Sequence, residues 1–160
     1  MTAPQPGDPA PDLELPDHDG IVRRLADQRG RWTVLYFYPA DDTPGCTTEA
    51  CQFRDLDEPF RVAGAEVWGV SPDDPQSHTR FRTKHGLGFT LLADVDHSVA
   101  ERYGAWQLKT AYGRSSMGIQ RSTFLIDPDG RIARVWPKVR ADGHAAEVAG
   151  ALAEEQAARA

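Results

Sequence analysis

Apolar residues along this chain come in short runs, and their period changes from one run to the next. After a polar, proline-rich start, MTAPQPGDPAPD, which reads as an extended arm, LEL and IVRRL flank the turn signal Asp17-His18-Asp19-Gly20 and predict a short hairpin. Trp32 to Pro39, WTVLYFYP, is an unbroken run of β-branched and aromatic residues, the pattern of a strand buried on both faces. Pro39 ends it. In the following stretch, DDTPGCTTEACQFRDLDE, the period becomes helical: Cys46, Ala50 and Phe53 share one face. Asp42 or Thr43 can cap this helix, Pro44 suits its first position, and Asp41 and Asp42 favour the positive end of its dipole.

EVWGVS (Glu66 to Ser71) predicts a second buried strand, and Pro75 to Gly86 a helix stopped by glycine. FTLLAD predicts a third strand and HSVAERYG a short helix, with His97 as its cap. Ala105 to Gln120 has weak periodicity and reads as a loop, a length usually functional or disordered. STFLID and RIARVW around Pro-Asp-Gly form a hairpin, and an alanine-rich amphipathic helix closes the chain from about Gly143. Strands that alternate with helices before an antiparallel hairpin indicate an α/β fold, a central mixed sheet with helices on both faces and an N-terminal β-hairpin. Trp32, Trp68, Trp106 and Trp136 are expected in core or rim packing.

Composition narrows the function. With 160 residues and no repeat or linker, residues 1–160 are read as one domain, large enough to bury a core without disulfides. The net charge of −6, with basic residues interspersed among acids, argues against nucleic acid as a partner. No apolar run approaches membrane-spanning length, and the N-terminus lacks the pattern of a secretory signal. A cytoplasmic location is therefore expected, where a structural disulfide is not. The histidines are scattered with no cysteine nearby, so no metal site is expected.

Both cysteines lie in TPGCTTEAC, five positions apart. The spacing is too wide for a C-x-x-C redox motif, and two thiols are too few for a zinc site. A thiol reacts as its thiolate, and a helix N-terminus favours that form. The neighbours of Cys46 work against it: Asp41, Asp42, Glu49, Asp55, Asp57 and Glu58 are acidic, and only Arg54 is basic. A nucleophilic Cys46 needs a cation from elsewhere. Arg121, which opens the strand RSTFLID at a sheet end, is the best candidate. Five residues of α-helix also separate two Cα atoms by about 8.6 Å and 140° around the axis. A disulfide needs less than about 7 Å, so Cys46 and Cys51 cannot bond while the helix is intact.

Pro39-x-x-x-Thr43-x-x-Cys46 matches the peroxiredoxin motif P-x-x-x-T-x-x-C at every fixed position. YFYPADDTPGCTTEAC, GVSPD, LLADVDHSVAERYG and RSTFLIDPDGRIARVW together resemble the bacterioferritin comigratory protein (peroxiredoxin Q) subfamily over nearly the whole chain. The resemblance implies a thioredoxin-like fold and thiol-dependent reduction of hydrogen peroxide and organic hydroperoxides, with no cofactor. It implies Cys46 as the peroxidatic cysteine, Cys51 as the resolving cysteine, and Pro39, Thr43 and Arg121 as the rest of the peroxide pocket. Thioredoxin or a similar dithiol protein is the implied reductant. Monomer is the default, because an intrachain Cys51 needs no partner's thiol. Two other readings stand beside this one: a thiol–disulfide oxidoreductase or redox sensor without fast peroxide turnover, and a non-enzymatic chaperone or scaffold. Glu49 reads as a surface helix residue, with proton movement near Cys46 as the alternative. Tyr112 and Met117 read as loop residues, with the substrate mouth as the alternative.

Overall fold

The computed structural model describes residues 3–160. The expected N-terminal hairpin is present as β1 (Glu14–Pro16) and β2 (Val22–Arg24), antiparallel across the Asp17–Gly20 turn. Asp17 accepts from the backbone N–H groups of Asp19 and Ile21 and so closes that turn. The central sheet contains β3 (Trp32–Phe37), β4 (Ala65–Ser71), β5 (Thr90–Ala93), β8 (Ser122–Ile126) and β9 (Ile132–Trp136) in the order β5-β4-β3-β8-β9. Its β3, β4 and β5 run parallel, whereas β8 and β9 are antiparallel to their neighbours. The proline-rich arm is not extended throughout: it turns at residues 5–8, where Asp8 N–H donates to the Gln5 carbonyl and Gly7 has a positive φ, and it is tied to the sheet. Gly7 N–H donates to the Ile132 carbonyl, and Ile132 N–H donates to that of Asp8. Residues 1 and 2 of the expected arm lie outside the described residues.

All six residues of β3 are buried, and the strand alternation divides the core into two. Val34, Tyr36 and Tyr38 face α1 (Pro44–Asp55), α3 (Pro75–His85) and α5 (His144–Ala158). Leu35 and Phe37 face Leu13 and Leu15 from the N-terminal segment, together with Val99 and Ala100 of α4 (Ser98–Arg102). Gly69 of β4 pairs in register with Tyr36. A Cβ at that position would lie 2.9 Å from Tyr36 Cζ and Oη and from Leu91 Cδ2, so the ring occupies the space a side chain would take. Tyr36 in turn stacks on Phe53 of α1, with centroids 4.8 Å apart.

The helix that carries both cysteines ends at Asp55, and α2 (Asp57–Val62) follows as a separate short helix. Two further expectations need correction. Ala105 to Gln120 is not an irregular loop. It forms the two-stranded hairpin of β6 (Trp106–Ala111) and β7 (Arg114–Ile119), turning at Tyr112 and Gly113, both with positive φ. His97 occupies the N-cap position of α4, as expected, in a left-handed conformation, but its side chain makes no capping bond; Asp94 accepts from the N–H groups of Val99 and Ala100 instead. The His97 ring stacks on Trp106, 3.8 Å between centroids.

Candidate active site

The site forms where β3 leaves the sheet and the chain turns into α1, beyond the carboxyl end of a central strand. Pro39 follows the buried β3 and is half-buried. Thr43 occupies the N-cap position and Pro44 the first helical position. The Thr43 hydroxyl does not cap the helix. It donates to the Ala40 carbonyl at 3.0 Å, and the first intrahelical bond runs from Thr47 N–H to the Thr43 carbonyl. The N–H groups of Gly45 and Cys46 therefore have no intrahelical acceptor and leave a positive helix end beside the sulfur. Asp41 and Asp42 do not serve that helix end: Asp41 pairs with His78, and Asp42 with Lys84 and His85.

Cys46 is 2% exposed, on the α1 face that also buries Glu49, Ala50 and Phe53. Arg121 lies immediately before β8, the antiparallel neighbour of β3, which carries its side chain to α1 across 75 residues of sequence. Its Nη2 donates to Cys46 Sγ at 3.3 Å, and its Nη1 donates to Glu49 Oε1 at 2.6 Å. An added Cβ on Gly45 would lie 3.2 Å from Arg121 Nη2, so the absence of a side chain there lets the guanidinium approach the first helical turn. Burial works against the Arg121 charge, but the negative groups Glu49 and Cys46 outweigh it and hold Arg121 above its ordinary value. The cation that the sequence required for Cys46 is in contact with the sulfur and stays charged.

Glu49 is not a surface residue; it is fully buried. Burial raises its pKa, Arg121 opposes that effect, and the result stands at about 7. Burial prevails because only one oxygen is partnered: Glu49 Oε2 is buried without a hydrogen bond, as is Tyr36 Oη. Burial, then the charges of Glu49 and Cys46, push the Tyr36 phenol well above its ordinary value, so it remains a protonated donor. The helical period already carried the Glu49 signal, because positions 46, 49, 50 and 53 lie on one face. Lys109 of β6 has no comparable signal in the sequence. It is half-buried, and its pKa is lowered by burial and by the neighbouring Arg121 charge, while Cys46 opposes the shift. A second cation thus lies within the field of the sulfur, on the segment that periodicity did not resolve.

Cys51 is half-buried on the same helix, and both cysteines are free thiols. Tyr112 is fully exposed at the hairpin tip, and Met117 is exposed on β7 opposite Leu108. No His, Cys, Asp and Glu grouping suited to a metal occurs among the described residues.

Residues 6–135 match the AhpC/TSA family. The chain is 51% identical to Peroxiredoxin Bcp of Bacillus subtilis, over 88% of this chain and 90% of that protein. It is 44% identical to Peroxiredoxin Bcp of Escherichia coli, over 86% and 88%. Among solved structures, it superposes on PrxQ of Xylella fastidiosa with a TM-score of 0.92 at 36% identity, covering 98% of this chain and 99% of that one. The Bacterioferritin Comigratory Protein of Xanthomonas campestris, studied for its alkyl peroxide reduction activity, gives a TM-score of 0.86 at 40% identity, over 89% and 91%. The fold is thus thioredoxin-like, and this chain belongs to the AhpC/TSA family, among the peroxiredoxins of the Bcp and peroxiredoxin Q kind.

Proposed function

We propose that this thiol-dependent peroxidase attacks hydrogen peroxide and organic hydroperoxides with Cys46 and resolves the product with Cys51. One observation carries the assignment: the buried Cys46 sulfur sits at an uncapped helix N-terminus with Arg121 Nη2 3.3 Å away. A thiolate there attacks the nearer peroxide oxygen in line. The O–O bond breaks, and the leaving oxygen takes the peroxide proton and departs as alcohol or water. The helix N–H groups and the guanidinium offset charge spread over both oxygens. With its hydrogen on the Ala40 carbonyl, the Thr43 hydroxyl can accept from the peroxide O–H, and Pro39, with no N–H, shields the sulfur from water.

The sulfenic acid formed on Cys46 then condenses with the Cys51 thiol, releasing water and forming an intramolecular disulfide. Because the two residues are five apart on α1, the start of that helix must unwind for the sulfurs to meet. An external dithiol protein, thioredoxin or one like it, restores both thiols. The alkyl peroxide reduction described for the Xanthomonas relative supports the inclusion of organic hydroperoxides. A monomer in the cytoplasm is the simplest setting. The resolving thiol is intrachain, and no helix among the described residues is long and apolar enough to cross a membrane.

The test is a peroxidase assay with thioredoxin against glutathione as donors, on the parent chain and two variants. Cys46→Ser should abolish peroxide consumption. Cys51→Ser should consume about one equivalent per chain and then accumulate sulfinic acid on Cys46, visible by mass spectrometry. Steady-state turnover in Cys46→Ser would overturn the nucleophile. Full thioredoxin-dependent turnover in Cys51→Ser would overturn the resolving role.

A further inference from the structure

The five-residue loop from Pro39 to Thr43 has a buried anchor at its midpoint. Asp41 is 4% exposed in its side chain, and its carboxylate accepts three side-chain hydrogen bonds. Tyr38 Oη donates to Oδ1 at 2.6 Å, and Ser77 Oγ donates to Oδ2 at 2.7 Å. His78 Nδ1 lies 2.8 Å from the same Oδ2. The Asp41 N–H donates to Asp73 Oδ2 at 2.8 Å, and the Ser71 hydroxyl donates to that oxygen at 2.7 Å. Nothing in the peroxide chemistry uses these groups, yet a buried carboxylate with three donors is costly to assemble without purpose.

His78 is the keystone of this cluster. It is fully buried, and its Nε2 lies 2.9 Å from the Leu92 carbonyl. A carbonyl only accepts, so Nε2 carries a hydrogen. A proton must also lie between Nδ1 and Asp41, because two acceptors at 2.8 Å would repel. The imidazole therefore bridges the end of β5, through Leu92, to the loop, through Asp41. Burial and the nearby Asp41 charge raise the Tyr38 pKa, so Tyr38 remains a phenol donor in this network. At the other end of α3, Lys84 Nζ at 2.6 Å and His85 Nε2 at 2.9 Å meet the Asp42 carboxylate. Asp42 has a left-handed φ of 58°, which an aspartate tolerates but does not prefer. That second contact is exposed and weak. The buried contact is the one able to hold the loop.

We infer that His78 is a positioning residue for the peroxide pocket, fixing Asp41 against the sheet so that Pro39 and Thr43, two residues to either side, keep their places beside Cys46. This rests on Cys46 being the attacking thiol. Two substitutions separate the two ring nitrogens. His78→Asn puts an amide donor near the Nδ1 position and retains the contact to Asp41. His78→Gln reaches the Nε2 position, retains the contact to the Leu92 carbonyl and loses Asp41. The readout is the second-order rate constant for Cys46 oxidation by hydrogen peroxide, from competition with a second peroxidase, alongside urea stability. The expected result is a rate at least tenfold lower in His78→Gln than in His78→Asn, with similar stability in both. Equal rates in the two variants, or a His78→Gln rate equal to that of the parent, would overturn the inference. If neither His78 variant folds, Asp41→Asn, which keeps the shape and removes the charge, should slow the same step about tenfold; a parental rate there overturns the inference too. A parent chain that consumes no peroxide would overturn the Cys46 assignment, and this inference with it.

Discussion

Glu49→Gln sets burial against the Arg121 ion pair. Glu49 is fully buried with one oxygen unpartnered, and its pKa stands at about 7, against 4.5 for a free glutamate. Between those two values the folded chain holds a proton that the unfolded chain has released. The contribution of Glu49 to stability is therefore fully present below pH 4.5, falls as pH rises to about 7, and is flat above that. About 2.5 pKa units correspond to roughly 3 kcal/mol lost across that window. Glutamine has the same shape and can still accept from Arg121 Nη1, but it does not titrate. Urea unfolding of parent and variant at pH 4.5 and pH 8 provides the measurement, because groups common to both cancel in the comparison. The variant should gain about 3 kcal/mol on the parent between the two pH values. Parallel stabilities would show that burial and the ion pair offset each other. A parent that gained on the variant with rising pH would mean that Arg121 governs Glu49, and would refute the reasoning.

Arg121→Lys should slow the peroxide step by about tenfold or more while keeping the charge, because an ammonium cannot hold Glu49 Oε1 and the Cys46 sulfur in the directions the planar fork reaches; an unchanged second-order rate constant would remove Arg121 from the pocket. In the disulfide form, residues 43 to about 51 should lose their amide protection, and the far-UV helix signal should fall by about a sixth, the share of α-helix in that stretch. An oxidised structure with α1 unbroken would refute that unwinding. Gly45→Ala should favour the helix by up to about 1 kcal/mol but crowd Arg121 Nη2, 3.2 Å from the new Cβ. It should therefore slow both the peroxide step and disulfide formation, each read by single-turnover mass spectrometry.

The elements with a strong local signal were legible in the sequence. The run Trp32 to Tyr38 is buried along its length, and α3 lies between Pro75 and a left-handed Gly86 as its punctuation predicts. The hairpin of β6 and β7 was not legible. Gln107, Leu108, Thr110, Ala111, Arg114 and Met117 are all exposed, so neither face carries a buried stripe, and its turn begins at a tyrosine instead of a residue suited to positive φ. Within the site, Cys46 and Arg121 were identifiable because each sits at the end of a recognisable element. Asp41 was not, because Asp-Asp before a helix has the local marks of a cap. Its partner His78 is 37 residues away, on a helix whose period alone gives no reason to bury a histidine. Burial of a polar residue depends on what the rest of the chain brings to it, and that is a property of topology, not of local pattern.

Gly69 has a bearing on how this sequence can drift. It is in β4 and reads locally as one small residue in an apolar strand. Yet a single methyl group there would press on the Tyr36 ring from 2.9 Å, with Phe53 stacked beyond it, and Phe53 belongs to the helix that carries Cys46. A library of random substitutions should therefore tolerate changes at the exposed hairpin tip around Tyr112 but return no functional clone altered at position 69. The mutational map of the chain would then mark as essential a residue that has no side chain and touches no substrate.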